Sequence, residues 1–97
     1  MAVARSWDAA RAKCVEEGFC RVCGGRDPEA AHIVPRSRSG HKDSMDARNI
    51  CPLCRSCHTN YDHGRLELLP HLSLEEQGFV AGLVGLAEAW RRTTVSG

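Results

Sequence analysis

Two Cys-x-x-Cys pairs, Cys20/Cys23 and Cys54/Cys57, frame the middle of this 97-residue chain. They constrain the fold more than any other feature, because that spacing lets one turn present two sulfurs to a tetrahedral ion. A chain of this size buries only about two-thirds of its unfolded surface, so it needs a staple. Five aromatic residues (two Trp, one Tyr, two Phe) make the core thinner still. Six cysteines in so short a chain mean either a disulfide framework or a metal site. The first residues, Met-Ala-Val-Ala-Arg-Ser-Trp-Asp, contain no apolar stretch of the kind that directs secretion. The expected setting is therefore cytoplasmic and reducing, and the expected staple is Zn²⁺ bound to Cys20, Cys23, Cys54 and Cys57. Cys51-x-x-Cys54 is a third ligand-like pair that overlaps the second.

The formal net charge of +1 does not by itself point to nucleic acid. Four zinc-bound thiolates would add a local charge of −2 and bring the fold to about −1. Distribution is more telling. Between Pro35 and His58 stand Arg36, Arg38, Lys42, Arg48 and Arg55, against only Asp43 and Asp46. Such an excess suits a phosphate backbone, and Arg36, Arg38 and Lys42 are the candidate DNA contacts. Arg36 carries a planar fork matched to phosphate.

Along the chain we find no internal repeat, no low-complexity tract and no stretch able to span a membrane. Residues 7–17 read as a helix with Trp7, Ala10, Cys14 and Val15 on one face, ended by Gly18. The first cysteine knuckle follows, then a strand over Ala31–Val34 stopped at Pro35. After a polar loop over 36–47, residues Arg48–Ile50 read as the returning strand, followed by a helix over about 56–63 with Gly64 at its end. Ser73-Leu74-Glu75-Glu76 is a capping box opening a long helix over about 74–92. On it Phe79, Leu83, Leu86 and Trp90 form an apolar stripe, and Gly78, Gly82, Gly85 and Ala89 form a stripe of small residues. Interior glycines cost on the order of 1 kcal/mol each, so close approach of another backbone, either the 7–17 helix or a second copy of the chain, is expected there.

Between the cysteine pairs lie His32, Asn49 and His58. Ala31-His32-Ile33-Val34-Pro35-Arg36-Ser37 and Asn49-Ile50-Cys51-Pro52-Leu53-Cys54-Arg55-Ser56-Cys57-His58 together resemble the HNH endonuclease family, the zinc-bearing ββα-metal nucleases. The resemblance covers residues ~10–66. It implies an α+β fold: a small ββα-metal core over about 18–66 stapled by a four-cysteine zinc site, flanked by the 7–17 helix and the long C-terminal helix, in one domain over 1–97. It also implies a metal-dependent endonuclease acting on DNA, leaving 5′-phosphate and 3′-hydroxyl ends, of the short format found in bacteriophages and prophages. His32 takes the place of the family's general base, and an imidazole titrating near pH 6.5 is largely neutral at pH 7, as that role requires. Asn49 is the family's middle residue, which in different members either touches the metal or braces the loop that orients the base. The family pattern leaves position 51 free, so Cys51, like Cys14, is read as a small buried hydrophobe.

His58 is the strongest candidate ligand of a catalytic divalent ion (Mg²⁺, Mn²⁺ or Ni²⁺). Asp62 lies four residues on, on the same helical face, and His58 to Gly64 resembles the motif ending in one branch of the family. One departure stands out. Many family members carry Asp or His directly before the catalytic histidine as a metal ligand, and here that residue is Ala31. The ion is then left to His58 with Asn49 or Asp62, a set that suits Mn²⁺, Ni²⁺ or Zn²⁺ better than Mg²⁺. Two rival readings follow: a zinc-ribbon DNA-binding module without catalysis, or an accessory subunit docked through the C-terminal helix. Monomer and homodimer both remain open.

Overall fold

A computed structural model describes residues 6–35 and 46–95, with side chains from Asp8 onward. The Trp7 side chain and Arg36, Arg38 and Lys42 lie outside the described residues. In chain order the elements are α1 (Ser6–Glu17), β1 (Glu29–His32), a 3-10 turn (Ala47–Asn49), β2 (Ile50–Leu53), α2 (Arg55–Asp62), a second 3-10 turn (Leu69–His71), α3 (Leu74–Val84) and α4 (Leu86–Thr93). The fold is α+β, and β1, β2 and α2 form the expected ββα unit.

The strands pair antiparallel, with Glu29 opposite Leu53, Ala31 opposite Cys51 and His32 opposite Ile50. β1 thus starts and ends two residues earlier than its sequence suggested. β2 is displaced the other way, because Asp46 accepts a hydrogen bond from the Arg48 N–H at 2.9 Å and winds residues 47–49 into a turn. Beyond β1 the Ile33 N–H reaches the Asn49 carbonyl at 2.8 Å, so the pairing continues past His32. Ala31, Ile33, Val34, Ile50, Cys51, Leu53, Leu68 and Val80 supply the fully buried core.

Helix α1 ends at Gly18, whose positive φ of 75° and N–H bond to the Cys14 carbonyl close its last turn. Ala10 and Cys14 bury against Ile50, whereas Val15, expected on the same face, is 82% exposed. The C-terminal part departs most from expectation. The capping box is present, with the Ser73 hydroxyl accepting from the Glu76 N–H and the Glu76 carboxylate accepting from the Ser73 N–H. The single helix over 74–92, however, breaks at Gly85 (φ 89°, ψ 154°), a conformation that L side chains rarely adopt. The three glycines of the small-residue stripe do not form a packing face either, whereas Ala89 is buried. A Cβ added at Gly78, Gly82 or Gly85 would meet nothing within 4 Å. Leu86 and Trp90 are likewise exposed rather than part of a buried stripe, while Val80 and Ala89 turn inward and Phe79 lies beneath the Arg48 guanidinium at 4.2 Å.

Besides Val80, which buries in the main core, a buried ionic cluster joins α3 to the rest. Glu76, 3% exposed, pairs with Lys13 of α1 and with Arg21 of the first cysteine knuckle. The Lys13 ammonium also donates to the Ala47 and Ile50 carbonyls at 2.7 Å, and Arg21 forks onto Glu17 at 2.7 and 2.9 Å. Helix α1, the first knuckle and α3 therefore meet on one buried carboxylate, and Lys13 ties the 47–50 segment to it. Burial works against its ionisation, but the hydrogen bonds from Arg21 and Lys13 prevail and hold it down at about 2.

Candidate metal centre and catalytic cleft

The first knuckle reverses at Gly24 (φ 77°), whose N–H reaches the Cys20 carbonyl at 3.0 Å, and the Cys20 N–H closes onto the Gly25 carbonyl. Gly25 lies against the sulfurs, where a Cβ would sit 3.4 Å from the Cys23 sulfur. The second knuckle is the start of α2, where Cys54 is the N-cap and its sulfur accepts from the Cys57 N–H at 3.4 Å. The sulfurs of Cys20, Cys23, Cys54 and Cys57 all lie within 4.8 Å of one another, and those of Cys23 and Cys54 are 3.6 Å apart. Tetrahedral zinc with bonds near 2.3 Å needs sulfurs about 3.8 Å apart, so the four fit the ion.

Their titration tells the same story. Burial opposes ionisation of Cys20, yet hydrogen bonds from backbone groups of Cys23, Cys54 and Val22 hold it down at about 6. Cys57 is pushed up by burial and by its sulfur neighbours. Four thiolates this close require a cation to compensate them. Cys51 stands apart, fully buried on β2 with its thiol pushed up to about 12 by burial, and Cys14 is buried under α1.

β1 ends in His32, which lines a cleft of about 590 Å³ together with His58, Tyr61 and Asp62 of α2 and Arg91 and Arg92 of α4. Burial, and then the charge of His58, lower the His32 pKa, so its imidazole is neutral over a wider range than a free one. The chain just beyond His32 is fixed from two sides. The fully buried Asn49 amide accepts from the Val34 N–H and donates to the Val34 carbonyl, both at 2.9 Å. The Tyr61 hydroxyl donates to the Ile33 carbonyl.

His58 lies between two carboxylates. Its Nδ1 is 2.9 Å from Glu29 Oε1, and its Nε2 is 3.5 Å from Asp62 Oδ2. In the tautomer whose Nδ1–H donates to Glu29, Nε2 keeps its lone pair toward Asp62 and the cleft, as a carboxylate-buttressed histidine ligand requires. The hydrogen bond from His58 holds the Glu29 carboxyl below the usual range, and Arg55, 3.4 Å away, adds to this. Glu29 has no motif around it in the sequence. Its pairing opposite Leu53, next to the start of α2, is what brings it to a histidine 29 positions away.

His32, His58 and Asp62 are thus brought to one cleft, while Asn49 sits behind its wall. Among the described residues, the four cysteines are the only group of three or more His, Cys, Asp or Glu side chains close enough to share an ion. Ala31 is buried in the core and contributes no ligand. No helix among the described residues is long and apolar enough to cross a membrane.

No solved structure matches the chain. A relative from the cyanobacterium Nostoc sp. (strain PCC 7120 / SAG 25.82 / UTEX 2576), named Anaredoxin, is 38% identical over 61 residues, which cover 61% of this chain and 76% of that protein. The HNH endonuclease family matches residues 20–68, from the first zinc-type cysteine through the ββα unit to the core residue Leu68. That match takes in half of the sequence and every element that builds the cleft except α4, and by it the chain belongs to the HNH endonuclease family.

Proposed function

We propose that this protein is a metal-dependent DNA endonuclease in which His32 is the general base. The observation that carries this reading is the convergence of His32, His58 and Asp62 on one open cleft, next to four cysteines placed for zinc. Zinc on Cys20, Cys23, Cys54 and Cys57 would clamp both ends of the strand–loop–strand segment. Six free thiols, none in a disulfide, suit a reducing cytoplasmic setting, bacterial or phage-infected.

Within the cleft, His32 accepts the proton of the attacking water, the neutral imidazole being favoured by its partial burial. Asn49 holds the Val34 peptide and so fixes the direction in which β1 delivers His32; both ends of its amide are committed to that task, which favours bracing over metal binding. His58 Nε2 and Asp62 would hold the catalytic ion, with Glu29 fixing the tautomer of His58. When bound there, a divalent cation neutralises charge on the scissile phosphate and its leaving oxygen. With only two side chains offered by the described residues, the site suits Mn²⁺ or Ni²⁺, which accept imidazole more readily than Mg²⁺ does. Arg36, Arg38 and Lys42 are the proposed DNA contacts from the loop between the strands.

Relaxation of supercoiled plasmid by zinc-loaded protein tests the reading, with Mn²⁺, Ni²⁺, Mg²⁺ or no added divalent ion, and with His32→Ala in parallel. Nicking that needs metal and His32 is expected. DNA binding without nicking under any metal would favour the zinc-ribbon binder, with Ala31 in the ligand position as the reason.

A further inference from the structure

We propose that Arg91 and Arg92, on a helix beyond the segment the family shares, bind the phosphate backbone of the DNA in the catalytic cleft. The inference rests on the nucleic-acid part of the reading above and extends its site to the C-terminal helix. Both guanidinium-bearing residues line the same cleft as His32 and His58, although they lie outside the matched residues 20–68. Their place is fixed by the backbone: the carbonyl of Thr93, 1% exposed, accepts from the Leu68 N–H at 2.8 Å and ties the end of α4 to the chain that follows α2. Arg92 then lies beside Tyr61, close enough for its charge to act on that phenol.

One carboxylate serves both arginines. Glu88 accepts from Arg91 at 2.7, 2.8 and 3.1 Å and from Arg92 at 3.1 Å. Two positive charges on one negative leave a surplus of +1. Asp62 is the opposing charge in the cleft, and it is the one proposed to be taken up by the metal. Both residues line the cleft, and the guanidinium N–H groups not spent on Glu88, with the surplus charge, suit a phosphodiester oxygen.

The test is binding of a short fluorescent DNA duplex, followed by anisotropy across a KCl series without added divalent ion, so that it does not depend on cleavage. Zinc content and thermal midpoint check the fold of each variant. Each lost phosphate contact should reduce the slope of log affinity against log salt by about 0.9, so Arg91→Ala/Arg92→Ala should lose ~1.8. Arg91→Glu, at a side chain that is 67% exposed, tests the same point without touching the core. Arg11→Ala, on the exposed face of α1, should leave the slope unchanged. Unchanged slopes in the Arg91 and Arg92 variants, or no DNA binding by the wild type, would overturn the inference. Reduced slopes in a protein that never nicks plasmid would uphold it while removing the nuclease reading. Unchanged slopes with metal-dependent nicking intact would do the reverse.

Discussion

Asn49→Ala separates bracing from metal binding, the two roles open to the middle residue of the motif. In the structure the Asn49 amide is fully buried and spends one donor and one acceptor on the Val34 peptide, itself fully buried. Truncation to alanine leaves the Val34 N–H and carbonyl without these partners. An orphaned buried polar group costs about 1–3 kcal/mol, so two of them should remove ~2–6 kcal/mol of stability. That is a large share of the ~5–15 kcal/mol typical of a domain. Urea unfolding with excess zinc held constant measures it directly. Asn49→Asp should behave differently from Asn49→Ala, because it keeps the acceptor but sets a carboxylate against the Val34 carbonyl. Its folded-state pKa should be raised, so stability should recover on acidification and be lost as pH rises through that pKa. In conditions where the variant is folded, the Mn²⁺ concentration for half-maximal nicking should stay near the wild-type value while the rate falls. A loss below about 1 kcal/mol, together with a metal midpoint moved upward tenfold or more, would refute bracing and make Asn49 a ligand.

Other outcomes follow from the same geometry. Cys57→Ser should abolish the single bound zinc, read by metal analysis of the purified protein, and Cys51→Ser should retain it, because Cys51 is buried on β2 away from the four gathered sulfurs. Glu76, held at about 2 against an ordinary value of 4.5, should contribute stability that is full above pH ~4.5 and is lost as pH falls toward 2. The shift corresponds to roughly 3 kcal/mol. Glu76→Gln should cost a similar amount or more at pH 7 and flatten that part of the pH dependence in urea titrations, since it leaves Lys13 and Arg21 facing an uncharged partner. Because burial lowers the His32 pKa, the acid limb of a nicking-rate profile should fall below the ~6.5 of a free imidazole, with activity retained where an exposed histidine base would already be protonated.

Much of the site was legible because its signals are local. The two cysteine pairs and the i, i+4 pair of His58 and Asp62 need only a turn and a helix to bring them together, and the structure does so. Gly18 and Gly64 were readable as helix ends for the same reason, both having positive φ. Strand β2 was harder to read. Pro52 argues against a strand in the sequence, but a two-stranded sheet leaves an outer edge on each strand where a missing N–H is tolerated. Gly85 looks like a helix interior residue until its φ of 89° turns it into a break, and the apolar residues after it then fall on different faces from those a continuous helix would give them. Glu29, Arg91 and Arg92 carry no local signal. Glu29 reaches His58 through strand register, and the arginines reach the cleft through the bond between Leu68 and Thr93. The Lys13–Glu76–Arg21 cluster was hidden likewise, since the capping box accounts for Glu76 without any tertiary partner.

Chemical rescue asks whether His32 is the base of a metal-dependent cleavage. Plasmid nicking by His32→Ala is measured with and without added imidazole, in Mn²⁺, beside the wild-type protein purified in parallel. Nicking by the wild type should require the metal, fall at least about a hundredfold in the variant, as expected for a general base, and recover partly with imidazole. Equal nicking by variant and wild type, or a folded, zinc-loaded, DNA-binding wild type that nicks with no metal, would contradict it.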